Sequence, residues 1–186
     1  MTDPQPIGFR PMTPADLPLV EAWLARPHLR PWWPAEDIVE ITRAVHGDDP
    51  VEPWILGVDG RDAGYFQVYD VGSDPDYAAA CAGVGAGPGT AGMDYLVGEP
   101  ELIGRGLGTR AIARFVAEIT FGRAPWPAVC AGPDPANGAS IRVLEKNGFR
   151  YVGAIDTRWG PEHLMVLTRA DWSASASVER AAQDRE

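Results

Sequence analysis

The chain has 186 residues, of which 45% are hydrophobic and 23% are charged, a composition typical of a globular protein. Its 26 acidic and 16 basic side chains give a formal net charge of −10 at pH 7. A surface this acidic repels phosphate backbones and anionic membranes, which argues against nucleic-acid or membrane binding and favours a cationic small molecule. No stretch approaches the roughly 20 apolar residues of a membrane span, and the first ten residues lack a signal-peptide pattern. Two cysteines are too few for a disulfide framework, so we expect reduced thiols and a cytoplasmic location.

The first part of the chain predicts a strand, two helices and a hairpin. Thr13 followed by Pro14 has the features of a helix N-terminus, and Pro27 ends that helix. Asp59-Gly60 lies between two apolar runs, which predicts a hairpin turn. The predicted elements are strand 7–10, helix 14–26, helix 35–45, strand 54–58 and strand 63–71.

Residues 72–92 consist largely of Gly, Ala, Pro and Asp, which predicts a long loop. The elements predicted after it are strand 93–97, helix 105–121, strand 128–131, helix 139–146, strand 149–153 and strand 163–168. This order predicts an α/β protein with a mixed sheet and helices on both faces. We expect one domain over residues 1–172, and a frayed or disordered tail over 173–186 because that run lacks a core-building pattern.

The strongest local motif is LIGRGLGT, residues 102–109, which lies between a predicted strand and a predicted helix. Closely spaced glycines can turn successive backbone N–H groups toward one point, and a helix N-terminus adds partial positive charge. Taken alone, the motif fits either an anion site or a tight turn without a ligand. A P-loop is excluded because Lys146, the chain's only lysine, lies far from the loop.

The wider pattern resembles the GCN5-related N-acetyltransferase (GNAT) superfamily. The segments that carry the resemblance are GMD at 92–94, IGRGLGT at 103–109, PAN at 135–137 and IRVLEKNGF at 141–149. Within the superfamily, the pattern is most similar to aminoglycoside 6′-N-acetyltransferases. The resemblance covers residues 5–170 and is most specific over 92–153.

This resemblance implies a fold and a co-substrate site. The fold is a mostly antiparallel central sheet flanked by helices, with two splayed strands that hold acetyl-CoA. The resemblance implies that the backbone of Leu96 and Val97 pairs with the pantetheine arm, and that Asn137 contacts the co-substrate. The amides of the loop would hold the pyrophosphate, and they belong to Arg105, Gly106, Leu107, Gly108 and Thr109. Leu144 stands where many members carry a tyrosine that protonates the leaving thiolate, so Tyr95, Tyr151 or a water must serve, or the thiolate leaves unassisted.

An acidic stretch accompanies the loop. Between Arg61 and Arg105 the chain has no Lys, Arg or His but seven carboxylates, which fits either a solvated face or a surface that concentrates a cationic amine. The seven are Asp62, Asp70, Asp74, Asp76, Asp94, Glu99 and Glu101. We take Asp74, Asp76 and Tyr77 as candidate substrate contacts. Trp32 and Trp33 are further candidates as faces for sugar rings, although ordinary core packing explains them equally well.

Asp94 is the candidate catalytic residue, because it matches the aspartate of the 6′-N-acetyltransferases. Only a free amine attacks a thioester, so a carboxylate that accepts the amine's proton would act as a general base. A solvated or capping aspartate is the alternative. The expected activity is therefore direct acetylation of a primary amine, most specifically the 6′-amino group of an aminoglycoside, by a monomer or homodimer that needs no metal. A siderophore- or lysine-type N-acyltransferase and a catalytically impaired acyl-CoA-binding or antibiotic-binding module are the alternatives.

Overall fold

The computed structural model describes residues 6–175. Seven strands form a mixed sheet in the order β1-β2-β3-β4-β5-β7-β6. The strands are β1 Ile7–Pro11, β2 Glu52–Val58, β3 Arg61–Asp70, β4 Ala91–Val97, β5 Ala128–Ala131, β6 Arg150–Thr157 and β7 Gly160–Thr168. The helices that precede the C-terminal helical segment are α1 Leu17–Leu24, α2 Ile38–His46, α3 Pro75–Gly83, α4 Leu107–Phe115, α5 Phe121–Arg123 and α6 Gly138–Lys146. β4 pairs with β5 in parallel, whereas β1–β2, β2–β3, β5–β7 and β6–β7 are antiparallel, which confirms the predicted mixed, mostly antiparallel sheet.

Contacts between residues divide the chain into two compact units. Among the described residues, the first unit comprises 6–70 together with 93–115, and the second comprises 71–92 together with 116–175. The interpretation of residues 1–172 as one domain stays a prediction. Residues 173–175 continue a helix that begins at residue 169, and the rest of the predicted tail lies outside the described residues.

The first unit packs both faces of its strands. On one face, Tyr65 and Leu96 belong to a buried cluster with residues of α1 and α2. On the other face, the ring of Phe66 lies 5.0 Å from the rings of both Phe9 and Phe115. Successive side chains of a strand point to opposite sides, so β3 contributes Tyr65 to one face and Phe66 to the other.

Gly64 of β3 sits against the backbone of β4. A Cβ atom at position 64 would collide with the Leu96 carbonyl oxygen, so only glycine fits between these two strands. The close approach therefore depends on the missing side chain.

The predicted start of the first helix is confirmed, with a difference in its first turn. Thr13 and Asp16 form a capping box, but Pro14–Asp16 is a 3₁₀ turn and α1 begins at Leu17. The Asp16 carboxylate also binds Arg10 at 2.7 Å, and the same guanidinium binds Asp62 at 2.8 Å. The guanidinium holds the pKa of Asp16 well below its usual range.

The predicted loop over residues 72–92 is wrong, because Pro75–Gly83 forms the helix α3. The Asp74 carboxylate caps this helix by accepting from the Asp76 and Tyr77 amides, each at 3.1 Å. Pro75 occupies the first turn, where its missing N–H has no cost. Tyr77 and Cys81, four residues apart, are the buried side chains of α3, and so small an apolar face gave no helical periodicity in the sequence.

The predicted helix over 105–121 is also corrected in its bounds. Regular α4 ends at Phe115, after which Val116–Thr120 forms a π-helical turn and Phe121–Arg123 resumes an α-helix. β6 and β7 are longer than predicted because their tight connection at residues 158–159 lets pairing continue to Thr157↔Gly160. The Asp59-Gly60 turn is confirmed, with φ of 51° and 73°.

Within residues 6–175, every helix is too short or too polar to cross a membrane. The same part of the chain contains no group of three His, Cys, Asp or Glu side chains arranged to hold a metal ion. Cys81 and Cys130 are both buried, and neither forms a disulfide.

Candidate active site

The glycine loop leads from β4 into α4 within the first unit. Gly104 and Gly106 adopt φ of 76° and 75°, the left-handed region that glycine tolerates best. Apart from the glycine itself and the residues next to it in the chain, no atom lies within 4 Å of the position that a Cβ would occupy at either glycine, so the surface above them is open. Leu107 is buried and anchors the start of α4. The first N–H groups of a helix have no intrahelical acceptor, so this arrangement suits an anion.

The residues around the loop differ in solvent exposure and in hydrogen bonding. Arg105 is exposed, and Ile103 keeps half of its surface in solvent. The His28 ring nitrogen donates to the Val97 carbonyl at 3.0 Å, so that carbonyl has a protein partner. Leu96 is buried in the core below.

Asp94 lies in β4 at the end of a hydrogen-bonded chain of side chains from β3. The Gln67 amide donates from Nε2 to Asp94 Oδ2 at 2.8 Å. The Tyr65 hydroxyl donates to Gln67 Oε1 at 2.6 Å, and Tyr69 supplies a further hydrogen bond to the Asp94 carboxylate. The predicted catalytic aspartate is thus held by two donors.

The electrostatics around Asp94 oppose its ionisation. Burial raises the pKa of Asp94, the hydrogen bonds from Gln67 and Tyr69 lower it, and the charge of Glu40 raises it, with a net upward shift. Asp37, at the approach to α2, also faces this carboxylate. Burial and the charges of Glu40 and Asp94 raise the pKa of Asp37 to about 6. A carboxylate with a raised pKa accepts a proton more readily, as a general base requires.

The two predicted tryptophans differ in environment. Trp32 is exposed, whereas Trp33 is half-buried with its ring edge-on to Tyr65 at 6.0 Å. Tyr65 is the residue that begins the hydrogen-bonded chain to Asp94. The structure therefore links Trp33, through Tyr65, to the surroundings of Asp94.

The second unit holds the other predicted acceptor residues. Asp74, Asp76 and Tyr77 line a pocket of about 160 Å³, together with Asp156 and the 157–159 turn. Tyr77 is buried, and its hydroxyl donates to Glu162 at 3.0 Å. Its ring lies 5.9 Å from that of Trp159, which is half exposed. Trp159, rather than Tyr77, is therefore the aromatic surface that this pocket offers to solvent.

The expected surface of unpaired carboxylates is smaller than the sequence suggests. Three of the seven acids are bound by arginines from outside the stretch: Asp62 by Arg10, Glu99 by Arg26 and Asp74 by Arg158. The Arg158 guanidinium also lies 4.0 Å above the Trp159 ring. A stretch of sequence without basic residues can therefore still have basic side chains beside it in the folded protein.

The remaining predicted positions lie in and around α6 in the second unit. Asn137 caps α6 by accepting from the Ser140 amide at 3.1 Å. Leu144 is completely buried, so it offers neither a proton nor a surface to a substrate. Tyr151 is half exposed, with its ring 4.6 Å from that of His163.

Sequence reasoning missed Gln67, Tyr69, Asp37 and Trp159. The alternation of Tyr65, Gln67 and Tyr69 along a predicted strand was a usable signal, because residues two apart share one face. Asp37 gave no signal, because its position beside Asp94 depends on the packing of α2. Trp159 lies in a turn whose partner, α3, was not predicted.

The fold and the motifs define the chain as an acetyltransferase. Residues 13–157 match the family described as Acetyltransferase (GNAT) domain, which is most of the chain. The chain belongs to this family.

The relatives narrow the class further. The chain is 30% identical over 185 residues to aminoglycoside N(6′)-acetyltransferase type 1 of Klebsiella pneumoniae, covering 92% of this chain and 88% of the relative. It is 26% identical over 156 residues to a lysine N-acyltransferase of Mycobacterium tuberculosis, covering 82% and 72%. Among solved structures, the aminoglycoside acetyltransferase AAC(6′)-Ib in complex with coenzyme A and kanamycin superposes with a TM-score of 0.80 at 29% identity, covering 92% of this chain and 99% of that one. The resemblance predicted from the motifs is confirmed.

Proposed function

We propose that the chain transfers the acetyl group of acetyl-CoA to a primary amine of an aminoglycoside, most specifically the 6′-amino group. The observation that carries this proposal is the 30% identity to an aminoglycoside N(6′)-acetyltransferase along nearly the whole chain. The similarity to a structure that contains coenzyme A and kanamycin supports the same pair of substrates. We extend the proposal to a cytoplasmic monomer or homodimer.

In the proposed reaction, Asp94 removes a proton from the substrate ammonium. The freed nitrogen lone pair then forms a C–N bond to the thioester carbonyl carbon, and the C–S bond breaks to release the CoA thiolate. The nitrogen, positively charged after its attack, gives up a second proton to the thiolate or to solvent, which leaves the neutral amide. The raised pKa of Asp94 supports this role, because a raised pKa strengthens the carboxylate as a base. Transfer is direct, without an acyl-enzyme.

The co-substrate is proposed to lie along β4 and the glycine loop. The open surface above Gly104 and Gly106 supports an approach of the pyrophosphate to the amides of residues 105–109. Arg105, exposed beside these amides, adds charge of the right sign. Leu96 and Val97 would offer backbone groups to the pantetheine arm. Val97 would use its amide or the second lone pair of its carbonyl, since His28 takes the first.

The leaving thiolate has no acid at the position of Leu144, because that side chain is apolar and completely buried. A thiol has an ordinary pKa near 8.5, so a thiolate can leave at neutral pH with little assistance. Tyr95, Tyr151 or a water are the candidates for any proton that is delivered.

The acceptor contacts are proposed on chemical grounds. Trp32 and Trp33 offer aromatic faces, while Asp74, Asp76 and Tyr77 line a pocket that suits a cation. Because Asp74 binds Arg158, an acceptor ammonium that uses Asp74 must compete with that guanidinium.

Lysine N-acylation is the second candidate function, favoured by the 26% identity to a mycobacterial lysine N-acyltransferase. A release assay for free thiol, run with kanamycin, with lysine derivatives and without an acceptor, separates the candidates. We expect thiol release with kanamycin and acetylation at its 6′-amine by mass spectrometry and NMR. Release with lysine alone would support the second candidate. Acetyl-CoA binding without transfer to any amine would indicate a binding module.

A further inference from the structure

Gln67 lies between a buried tyrosine and the proposed catalytic carboxylate. Tyr65, Gln67 and Tyr69 alternate along β3, so their side chains share the face on which Asp94 of β4 lies. Tyr65 is fully buried, and Gln67 is half-buried between it and Asp94. The connecting distances are 2.6 Å from Tyr65 to Gln67 and 2.8 Å from Gln67 to Asp94.

The direction of these hydrogen bonds follows from their chemistry. An ionised carboxylate only accepts, so the Gln67 amide must present its nitrogen to Asp94 and its oxygen to Tyr65. Burial, together with the charges of Asp94 and Asp49, raises the pKa of Tyr65 well above its usual value. The hydroxyl of Tyr65 therefore keeps its proton and remains a donor to Gln67 throughout the neutral range. This contact fixes the side-chain amide in one orientation.

We infer that Gln67 is a positioning residue that orients the Asp94 carboxylate for proton transfer, with its own amide held by Tyr65. The inference deepens the proposed function and rests on Asp94 as its base. Gln67 and Tyr69 bind the carboxylate from β3, so the orientation of the remaining lone pairs is set before an ammonium arrives. Preorganised geometry of this kind lowers the barrier to transfer.

The same contacts tune the readiness of Asp94 to accept a proton. Donors to the ionised form lower a carboxyl pKa, so Gln67 and Tyr69 counteract burial and the charge of Glu40. The charge of Asp94 in turn raises the pKa of Asp37, on which Glu40 acts in the same direction. Loss of the Gln67 donor must therefore move the Asp94 pKa upward.

The test uses Gln67→Met, which keeps the length of the side chain but removes its donor, and Tyr65→Phe, which removes only a hydroxyl. For Gln67→Met we expect kcat/KM at neutral pH to fall about tenfold. Loss of a hydrogen bond to the ionised carboxylate raises the pKa of Asp94 by about one unit or more, so less of Asp94 is ionised at a given pH. The acidic limb of the kcat/KM profile should move to higher pH by about one unit. Tyr65→Phe should shift the acidic limb in the same direction but by less than one unit.

A double-mutant cycle with Asp94→Asn separates positioning from structural support. If Gln67 acts through Asp94, Gln67→Met should cost nothing further in the Asp94→Asn background. Phe66→Leu, a change on the opposite face of β3, serves as the control: it should lower the melting temperature without moving the acidic limb. A Gln67→Met enzyme with an unmoved limb, or one whose loss persists in the Asp94→Asn background, would overturn the inference.

An NMR titration of ¹³C-labelled aspartate makes the outcome independent of turnover. We expect the Asp94 carboxyl to titrate at a higher pH in Gln67→Met and Tyr65→Phe than in the unmodified chain. If the unmodified chain acetylates no amine, the proposed function fails. The titration still decides whether Gln67 lowers the pKa of the Asp94 carboxyl group. An unchanged Asp94 titration in both variants would overturn the inference even in an active enzyme.

Discussion

Asp94 and Asp74 come from the same acidic stretch of the sequence but lie in two different regions of the fold, and their surroundings differ in kind. Asp94 has two neutral donors, Gln67 and Tyr69, and the neighbouring charge of Glu40 raises its pKa. Asp74 caps a helix and forms an ion pair with Arg158 at 2.9 Å. The first carboxylate is left with unfavourable charge, whereas the second has its charge compensated.

This difference separates the proposed catalytic carboxylate from a structural one. The count of acids along a sequence does not distinguish them, because reactivity depends on desolvation and on the sign of the neighbouring charge. In the first region, removal of a charge should relieve repulsion. In the second, it should remove a stabilising contact.

The largest effect is expected at Asp94. Asp94→Asn keeps the shape of the side chain but removes the proton acceptor, so kcat should fall by about 10²- to 10⁴-fold. The remaining activity should rise with pH, because solvent must then deprotonate the amine. Steady-state kinetics across pH, with calorimetry to confirm retained acetyl-CoA binding, measures this. An unchanged kcat in the folded variant would remove Asp94 as the base, and a raised KM alone would reduce it to an anchor.

Replacement of Asp37 should change the free energy of unfolding in the opposite direction from replacement of an acid in a salt bridge. Its folded-state pKa of about 6 lies above the ordinary value of 3.8, so the ionised form is disfavoured by folding. The contribution of protonated Asp37 to stability is therefore complete below about pH 4, and it is lost as the pH rises through about 6 and the carboxyl group ionises. Asp37→Asn should therefore raise the free energy of unfolding at pH 7 by about 1–2 kcal/mol, after allowance for solvent screening, and change it little at pH 4.

Chemical denaturation at the two pH values checks this prediction. Glu21→Gln, at an exposed acid of α1 that is not among the charges acting on Asp37, is the matched control and should give no such difference between the two pH values. A loss of stability in Asp37→Asn at pH 7 would contradict the assigned repulsion.

At Asp74 we expect a change in stability of similar size to that at Asp37 but of opposite sign. Asp74→Ala removes a helix cap and a surface ion pair, which together stabilise the fold by about 1–2 kcal/mol. Asp74→Asn retains the cap and should lose less. If Asp74 also contacts the acceptor, the KM for the acceptor should rise in both variants while kcat holds. Equal melting temperatures for Asp74→Ala and the unmodified chain would show that the cap contributes nothing.

The sequence predicted the parts of the fold that depend on local signals. The Asp59-Gly60 turn and the Thr13 capping box with Asp16 encode their structure within a few residues. The α3 helix was missed although Asp74 and Pro75 mark its start, because its alanines carry no apolar periodicity. For a short helix such as α3, the residues that mark the helix N-terminus are therefore a better indication than the apolar periodicity of its interior.

The candidate site was predictable only where a motif recorded it. Asp94 and the glycine loop were found from their resemblance to a family, and their roles stay predictions. The contact of Gln67 with Asp94 needs the pairing of β3 with β4, which no single segment encodes. The arginine partners of Asp62, Glu99 and Asp74 were missed for the same reason, since each lies at least 52 residues away in the chain.

Gly64 has a consequence for how this sequence can vary. A side chain there would collide with the Leu96 carbonyl and displace β4, and Asp94 is only two residues along that strand. In a library randomised at position 64, selection for soluble expression should tolerate some substitutions that selection for acetyl transfer rejects. The two enrichment profiles would diverge at a residue that has no side chain.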